Sequence, residues 1–319
     1  VTQQQSSGSK IAIIGAGSVG ATIAYAALIR GVAQRVALYD INRTKLDAER
    51  LDLAHGSPFF PPASIEGSDD LEICKDAQVV VITAGAKQQP GQTRLELAGA
   101  NATMLRNLLP KLMKVTPDAI LLLVTNPVDV LTQITLQITG LPRERVFGSG
   151  TVLDSARFRF LIAERLKVAP QNVHAYIGGE HGDSSVPLWS SAIVGGVPLH
   201  AWAVQGHGKL SVRDRVEIFT GVKDAAAQII AGKGATNYAI GLAVAQILSS
   251  ILDNANRIHP VSTYVSSFHD IKDVCLSLPC IVSARGAESP LEIPMNDAEL
   301  AGLRASAETI RATLKSVTS

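Results

Sequence analysis

Lys10-Ile11-Ala12-Ile13-Ile14-Gly15-Ala16-Gly17-Ser18-Val19-Gly20, carried on to Val36-Ala37-Leu38-Tyr39-Asp40, is the stretch that decides the fold. Ile11 to Ile14 is a short uncharged apolar run, the pattern of a strand buried on both faces of a parallel sheet. It opens directly into a G-x-G-x-x-G turn at Gly15, Gly17 and Gly20. Val19 to Arg30 suits a helix, with Ile23 and Ala27 near one face and Gly31 as its stop. Val36 to Tyr39 is a second strand, and it ends at Asp40, twenty positions after Gly20. The first glycine permits the tight turn, the second lets backbone approach a pyrophosphate, and the third lets helix pack on strand. The helix N-terminus faces the phosphates, and the acid accepts from a ribose diol. The glycines alone are a weak signal, but in this strand–turn–helix–strand–acid unit they predict a dinucleotide site. A carboxylate at Asp40 repels a 2′-phosphate, which favours NAD over NADP.

Outward from that unit, strands and helices alternate. Thr44–Ala54 reads as a helix, Val79–Thr83 as a buried strand, and Leu95–Leu112 as a long helix after a polar Pro-Gly loop. Ile120–Val124 is a further strand, Val128–Thr139 a helix stopped by Gly140, and Val146–Gly148 a short last strand. This alternation predicts a doubly wound parallel sheet, a Rossmann fold of the α/β class, with ligands beyond the carboxyl ends of its strands. From Thr151 the pattern changes to a mixed α+β region: a helix at Val152–Leu166, strands near His174–Ile177 and Val186–Val194, and helices at 212–231 and 235–252. Strands near Val261–Val265 and Val274–Ile281 and a terminal helix at 297–316 complete it. With 319 residues and 46% hydrophobic content the chain has ample core for two domains. The expected division is a disordered lead-in at 1–9, a nucleotide-binding domain at 10–150 and a catalytic domain at 151–319. A formal net charge of +1 with no basic block argues against nucleic acid or an anionic membrane as partner. Three cysteines without metal spacing read as reduced thiols, no run is apolar for long enough to span a bilayer, and the polar opening is not a signal peptide. The expectation is a soluble cytoplasmic protein with no metal.

Five positions in this frame bear chemistry, and each has an ordinary reading beside the functional one. His181, between Gly179-Glu180 and Gly182-Asp183, is an acid–base group or a hydrogen-bonded loop histidine. Asp154 and Arg157, three apart, share a helix face as site residues or as a plain ion pair. Arg94 is a site residue or a solvated loop charge, and Asn126 before Pro127 is a site residue or turn chemistry.

Taken together, the motifs resemble the L-lactate/L-malate dehydrogenase family, most of all its bacterial NAD-dependent L-lactate dehydrogenases. The resemblance runs from Lys10 to the terminal helix. It rests on Gly15–Gly20, Asp40, Gln88-Gln89-Pro90-Gly91-Gln92-Thr93-Arg94, Thr125-Asn126-Pro127-Val128-Asp129, Leu153-Asp154-Ser155-Ala156-Arg157, Gly179-Glu180-His181-Gly182-Asp183 and Gly234-Ala235-Thr236. The resemblance implies reversible hydride transfer between NADH and pyruvate, giving L-lactate. It implies Arg157 as the grip on the substrate carboxylate, His181 as the proton donor and acceptor, and Asp154 as the residue holding the other ring nitrogen. Arg94 is implied to polarise the carbonyl, Asn126 to bond the substrate oxygen near the nicotinamide, and Thr236 to bound the pocket. Val19, Lys45, Gly85, Ala86, Val124, Ser149 and Ile240 are implied to line the cofactor. Gln88 stands where malate enzymes of the family carry arginine, which points to pyruvate over oxaloacetate. The chain departs from the family's Pro-Gly-Glu-Thr-Arg loop in having Gln92 for the glutamate.

The same resemblance bears on control. Arg159 lies two residues beyond Arg157 and so projects about 200° away from it, toward the outside of the subunit. Arginine and histidine at the positions of Arg159 and His174 bind fructose 1,6-bisphosphate between subunits of a homotetramer in the resembling bacterial enzymes. An activator and a tetramer are therefore expected. Malate or another 2-hydroxyacid as substrate, and a non-catalytic NAD(H)-binding protein, are the competing readings.

Overall fold

The computed structural model describes residues 8–86, 94–203 and 209–318, the side chains of Arg94 and Thr318 excepted. Six parallel strands form its first half: β1 (Lys10–Ile14), β2 (Arg35–Tyr39), β3 (Ser64–Ser68), β4 (Val79–Ile82), β5 (Ile120–Leu123) and β6 (Val146–Gly148). Helices α1 (Ser18–Ile29), α2 (Arg43–His55), α3 (Arg94–Val115) and α4 (Val128–Thr139) cover the two faces. The second half contains α5 (Val152–Leu166), an antiparallel sheet of β7 (Val173–Gly178), β8 (Val186–Val194) and β9 (Val197–Pro198), and helices α6 (Val212–Lys233) and α7 (Tyr238–Leu252). Strands β10 (Arg257–Val265), β11 (Val274–Ser283) and β12 (Gly286–Pro290) and helix α8 (Asp297–Thr318) close the chain.

Several features depart from the sequence reading, which also has no strand at β9 or β12. The sheet does not stop at β6: among the described residues it has nine strands in the order β12-β11-β10-β6-β5-β4-β1-β2-β3, with β10 antiparallel to β6 at Ser262 and Gly148. A purely parallel first-half sheet is thus extended by antiparallel strands from the second half. The outer strand β3, Ser-Ile-Glu-Gly-Ser, was not expected, because it has no apolar run and is held by backbone pairing to β2.

The two faces of the sheet separate by the period of two along each strand. Ala12, Ile14, Val80, Ile82, Leu121 and Leu123 face α3, α4 and α8, whereas Ile11, Ile13, Val79, Val81, Ile120 and Leu122 face α1 and α7. Burying each such branched side chain contributes roughly 1.5–3 kcal/mol. Strands packed on both faces direct ligands to their ends, so the turns after β1, β2, β4 and β5 converge on one edge. Among the described residues, no helix is long and apolar enough to cross a membrane.

Candidate active site

The dinucleotide end of this edge is built by the glycine turn. Gly15 takes φ +104°, a left-handed conformation open to glycine, and a side chain at Gly20 would run into the Gly15 carbonyl oxygen. Gly17 differs: a Cβ there would meet nothing closer than the Lys45 ammonium at 4.0 Å, so the turn keeps an open cradle under a cation. Helix α1 starts from Gly17 with no acid in its first turn, leaving its N-terminal partial charge uncompensated. Asp40 ties the cradle together, accepting from the Ala16 N–H at 2.7 Å and the Asn42 N–H at 2.9 Å. A carboxylate offers about four acceptor positions, so capacity for a ribose diol remains. Asn42 in turn caps α2 by accepting from the Lys45 N–H at 3.1 Å, which fixes the root of that lysine. These residues fit a dinucleotide pyrophosphate and its ribose.

Further along the edge, Gly85 and Ala86 are exposed just beyond β4, and Asn126 is exposed beyond β5. Val19, Val124 and Ile240 are half-buried at the rim of the core, and Ser149 is buried with its N–H on the Leu123 carbonyl. Thr236 is half-buried in the link between α6 and α7, whose neighbour Asn237 donates to the Thr22 hydroxyl of α1 at 2.9 Å.

The chemical end is built on α5 and the turn after β7. Asp154 and Arg157 do share a helix face, and the guanidinium donates to the carboxylate at 3.0 Å. The other Asp154 oxygen meets His181 Nδ1 at 2.5 Å. This leaves His181 about one quarter exposed and Asp154 and Arg157 nearly enclosed, with side-chain exposures of 26%, 12% and 13%. The Asp154 charge raises the His181 pKa above its ordinary value of 6.5, overcoming the opposite pull of burial. Burial by itself would raise the Asp154 pKa, yet His181 and Arg157 together hold it below the usual carboxylate value. The pair therefore favours an imidazolium held by a carboxylate through Nδ1, with Nε2 as the nitrogen left to act on a ligand.

Arg159 lies off the Asp154–Arg157 face, but not as an outward surface charge. It is half-buried against β7, donating to the Ala175 carbonyl at 2.9 Å with its guanidinium 4.9 Å from the Tyr176 ring centre. Its guanidinium is drawn onto the strand that neighbours its helix, which two-residue helix geometry does not anticipate. His174 is exposed on the same strand, two residues before Tyr176 and so on the same face. Gln88 and the side chain of Arg94 lie outside the described residues.

Two residues that the sequence reading passed over hold this edge together. Asn101 of α3, 1% exposed, accepts from the Ala86 N–H at 2.8 Å and donates to the Asn126 carbonyl at 2.8 Å, clamping the ends of β4 and β5. Asp129 of α4, 2% exposed, accepts from the His181 N–H at 2.8 Å. Both interrupt otherwise apolar helix stripes, and that interruption was the available signal.

Comparison with known proteins agrees with this geometry. Residues 9–148 match the family model described as lactate/malate dehydrogenase, NAD binding domain, and residues 151–319 match its alpha/beta C-terminal domain. The chain is 54% identical over 305 residues to an L-lactate dehydrogenase of Bifidobacterium animalis subsp. lactis, covering 95% of each. It is 45% identical to an L-lactate dehydrogenase of Clostridium botulinum, covering 96% of each. A crystal structure of the minor L-lactate dehydrogenase of Enterococcus mundtii superposes with a TM-score of 0.93 at 39% identity, covering 98% of this chain and 99% of that one. With both halves matched, and with a glycine cradle in the first and an Asp–His–Arg cluster in the second, the chain belongs to the lactate/malate dehydrogenase family and uses NAD as its cofactor.

Proposed function

We propose that the chain is a cytoplasmic L-lactate dehydrogenase, interconverting pyruvate and L-lactate. The observation that carries the reading is the cluster of His181, Asp154 and Arg157, tied through the His181 N–H to Asp129 of α4, the helix that follows β5. Arg157 binds the substrate carboxylate, for which a planar guanidinium suits two parallel hydrogen bonds. Bound NADH supplies the hydride that the carbonyl carbon accepts. His181 gives its Nε2 proton to the carbonyl oxygen as that oxygen gains charge, and takes it back in lactate oxidation. Asp154 holds Nδ1 throughout, fixing ring orientation and stabilising the imidazolium. Asn126 and Arg94 bond the same oxygen, Thr236 bounds the pocket, and Val19, Lys45, Gly85, Ala86, Val124, Ser149 and Ile240 line the cofactor beside Gly15, Gly17, Gly20 and Asp40. The three cysteines, buried and unpaired, suit a reducing compartment. Assays of NADH oxidation with pyruvate, oxaloacetate and α-ketoisocaproate side by side test this reading. Preference for either alternative over pyruvate refutes it.

Activation by fructose 1,6-bisphosphate in a homotetramer belongs to the same proposal. Its support is Arg159, held on Ala175 and Tyr176 beside His174, on the helix that also carries Arg157. Two-fold symmetry would gather two copies of each cation around one bisphosphate. Pyruvate KM and sedimentation, with and without the bisphosphate, decide it. If neither changes at any pH, Arg159 and His174 have no such role.

A further inference from the structure

We infer that Asp129 is a positioning residue for the proton donor: its buried carboxylate holds the main chain of His181 and adds negative charge near the imidazole. The inference rests on reading His181 as the acid–base group, and it assigns Asp129 a part that the sequence reading gave it none of.

The segment that delivers His181 is fastened at nearly every residue, by a different element each time. The Ile177 N–H donates to the Ser155 hydroxyl of α5 at 2.8 Å, and the Thr151 hydroxyl donates to the Ile177 carbonyl at 2.5 Å. Gly179 and Ser277 of β11 exchange two backbone hydrogen bonds, each of 2.9 Å. The Glu180 N–H donates to the Ser306 hydroxyl of α8 at 2.6 Å. The His181 N–H donates to Asp129 Oδ2 of α4 at 2.8 Å, while the Ser277 hydroxyl lies 3.4 Å from Oδ1. The upstream fasteners are hydroxyls and backbone groups. The one that meets the imidazole-bearing residue is a carboxylate.

A hydroxyl or amide would accept one N–H as well, without the cost of an enclosed charge. Burial does raise the Asp129 pKa, to about 6, so the group resists ionisation where it sits. What a carboxylate adds is its field. Among the described residues, the groups facing His181 are Asp154 and Arg157 from α5 and Asp129 from α4, and the two carboxylates raise its pKa while Arg157 lowers it. Among the described residues, the titratable groups facing Asp129 are His181 and Glu180 of the loop and the Cys275 thiol of β11, and the Ser262 hydroxyl of β10 also acts on its carboxylate. Asp129 thus fixes the loop backbone as Asp154 fixes the ring, and both favour the proton-carrying form.

The test titrates the His181 ring by NMR in the whole protein and in Asp129→Asn and Asp129→Leu, and measures pyruvate reduction across pH in all three. Asparagine keeps an acceptor for the His181 N–H but removes the charge, whereas leucine removes both. The His181 pKa should fall by at least about half a pH unit in either variant. In Asp129→Leu the His181 amide should lose protection from hydrogen exchange, and kcat should fall at least about tenfold with pyruvate KM within about twofold, Arg157 being untouched. A His181 pKa equal to the parent's in whichever variants fold overturns the inference, whatever their rates. A parent that reduces no pyruvate refutes the functional reading alone, because the ring titration still decides the part of Asp129.

Discussion

Acidification should set His259 against the fold. This residue of β10 is 8% exposed, and its Nε2 lies 2.8 Å from the Ser250 hydroxyl of α7. Burial, with Arg159 and Arg257 nearby, pushes its pKa down to about 4. The folded value is therefore below the unfolded one, near 6.5, and between the two the unfolded chain binds a proton that the folded chain refuses. Stability contributed by neutral His259 is complete above about pH 6.5, declines as pH falls toward about 4, and changes no further below that. At about 1.4 kcal/mol per pH unit the gap amounts to about 3 kcal/mol, a large share of the roughly 5–15 kcal/mol that ordinarily holds a domain together. Urea unfolding of the parent and of His259→Gln, from about pH 7 to about pH 4, reads this directly, because every other titrating group cancels in the difference. The parent should lose about 3 kcal/mol more than the variant over that range. Parallel stability profiles for the two proteins would refute the argument.

Other substitutions probe the site itself. Asp154→Asn should move the high-pH limb of pyruvate reduction to lower pH, since the Asp154 charge is the main cause of the raised His181 pKa; a limb that stays in place contradicts the assignment. Arg157→Lys should raise pyruvate KM and cost kcat/KM roughly 30-fold or more, about 2 kcal/mol for a lost bidentate pair, and steady-state kinetics reading less than threefold would remove Arg157 from the carboxylate. Gln88→Arg should improve oxaloacetate against pyruvate, because a buried second carboxylate needs a counter-charge, and an unchanged ratio of kcat/KM counts against Gln88 as the selector. Asp40→Ser should weaken NADH binding and relax the rejection of NADPH; efficient use of NADPH by the parent would show that Asp40 does not select.

What could be read in advance follows from the range of the interactions. The first strand, glycine turn, helix and Asp40 are local, and each was legible from neighbours within a few positions. The shared face of Asp154 and Arg157 is likewise set by helix spacing, and their side chains lie 3.0 Å apart. His181 was not legible that way, since its approach to Asp154 depends on a crossing of β7 and α5 that no periodicity announces. Strand β3 escaped notice because Ser64 to Ser68 carries no apolar pattern, and the order of β10 to β12 escaped because strand order is a long-range property. Asn101 and Asp129 were visible as polar residues on apolar stripes, but what they clasp was not.

The continuous sheet also bears on how the chain is made. Strand β6 has β5 on one side and β10 on the other, and the α1 face of the core is finished by Val244, Ile247 and Leu248 of α7 and by Val261 of β10. As the polypeptide leaves the ribosome, the nucleotide-binding strands are all present once Gly148 has emerged, yet one flank of their apolar layer stays uncovered until more than a hundred further residues follow. At roughly 5–20 residues per second that interval lasts several seconds. During it, the edge of β6 and the bare face of α1 are the surfaces most in need of shielding by a chaperone. A gene fragment ending at Gly148 would make that interval permanent.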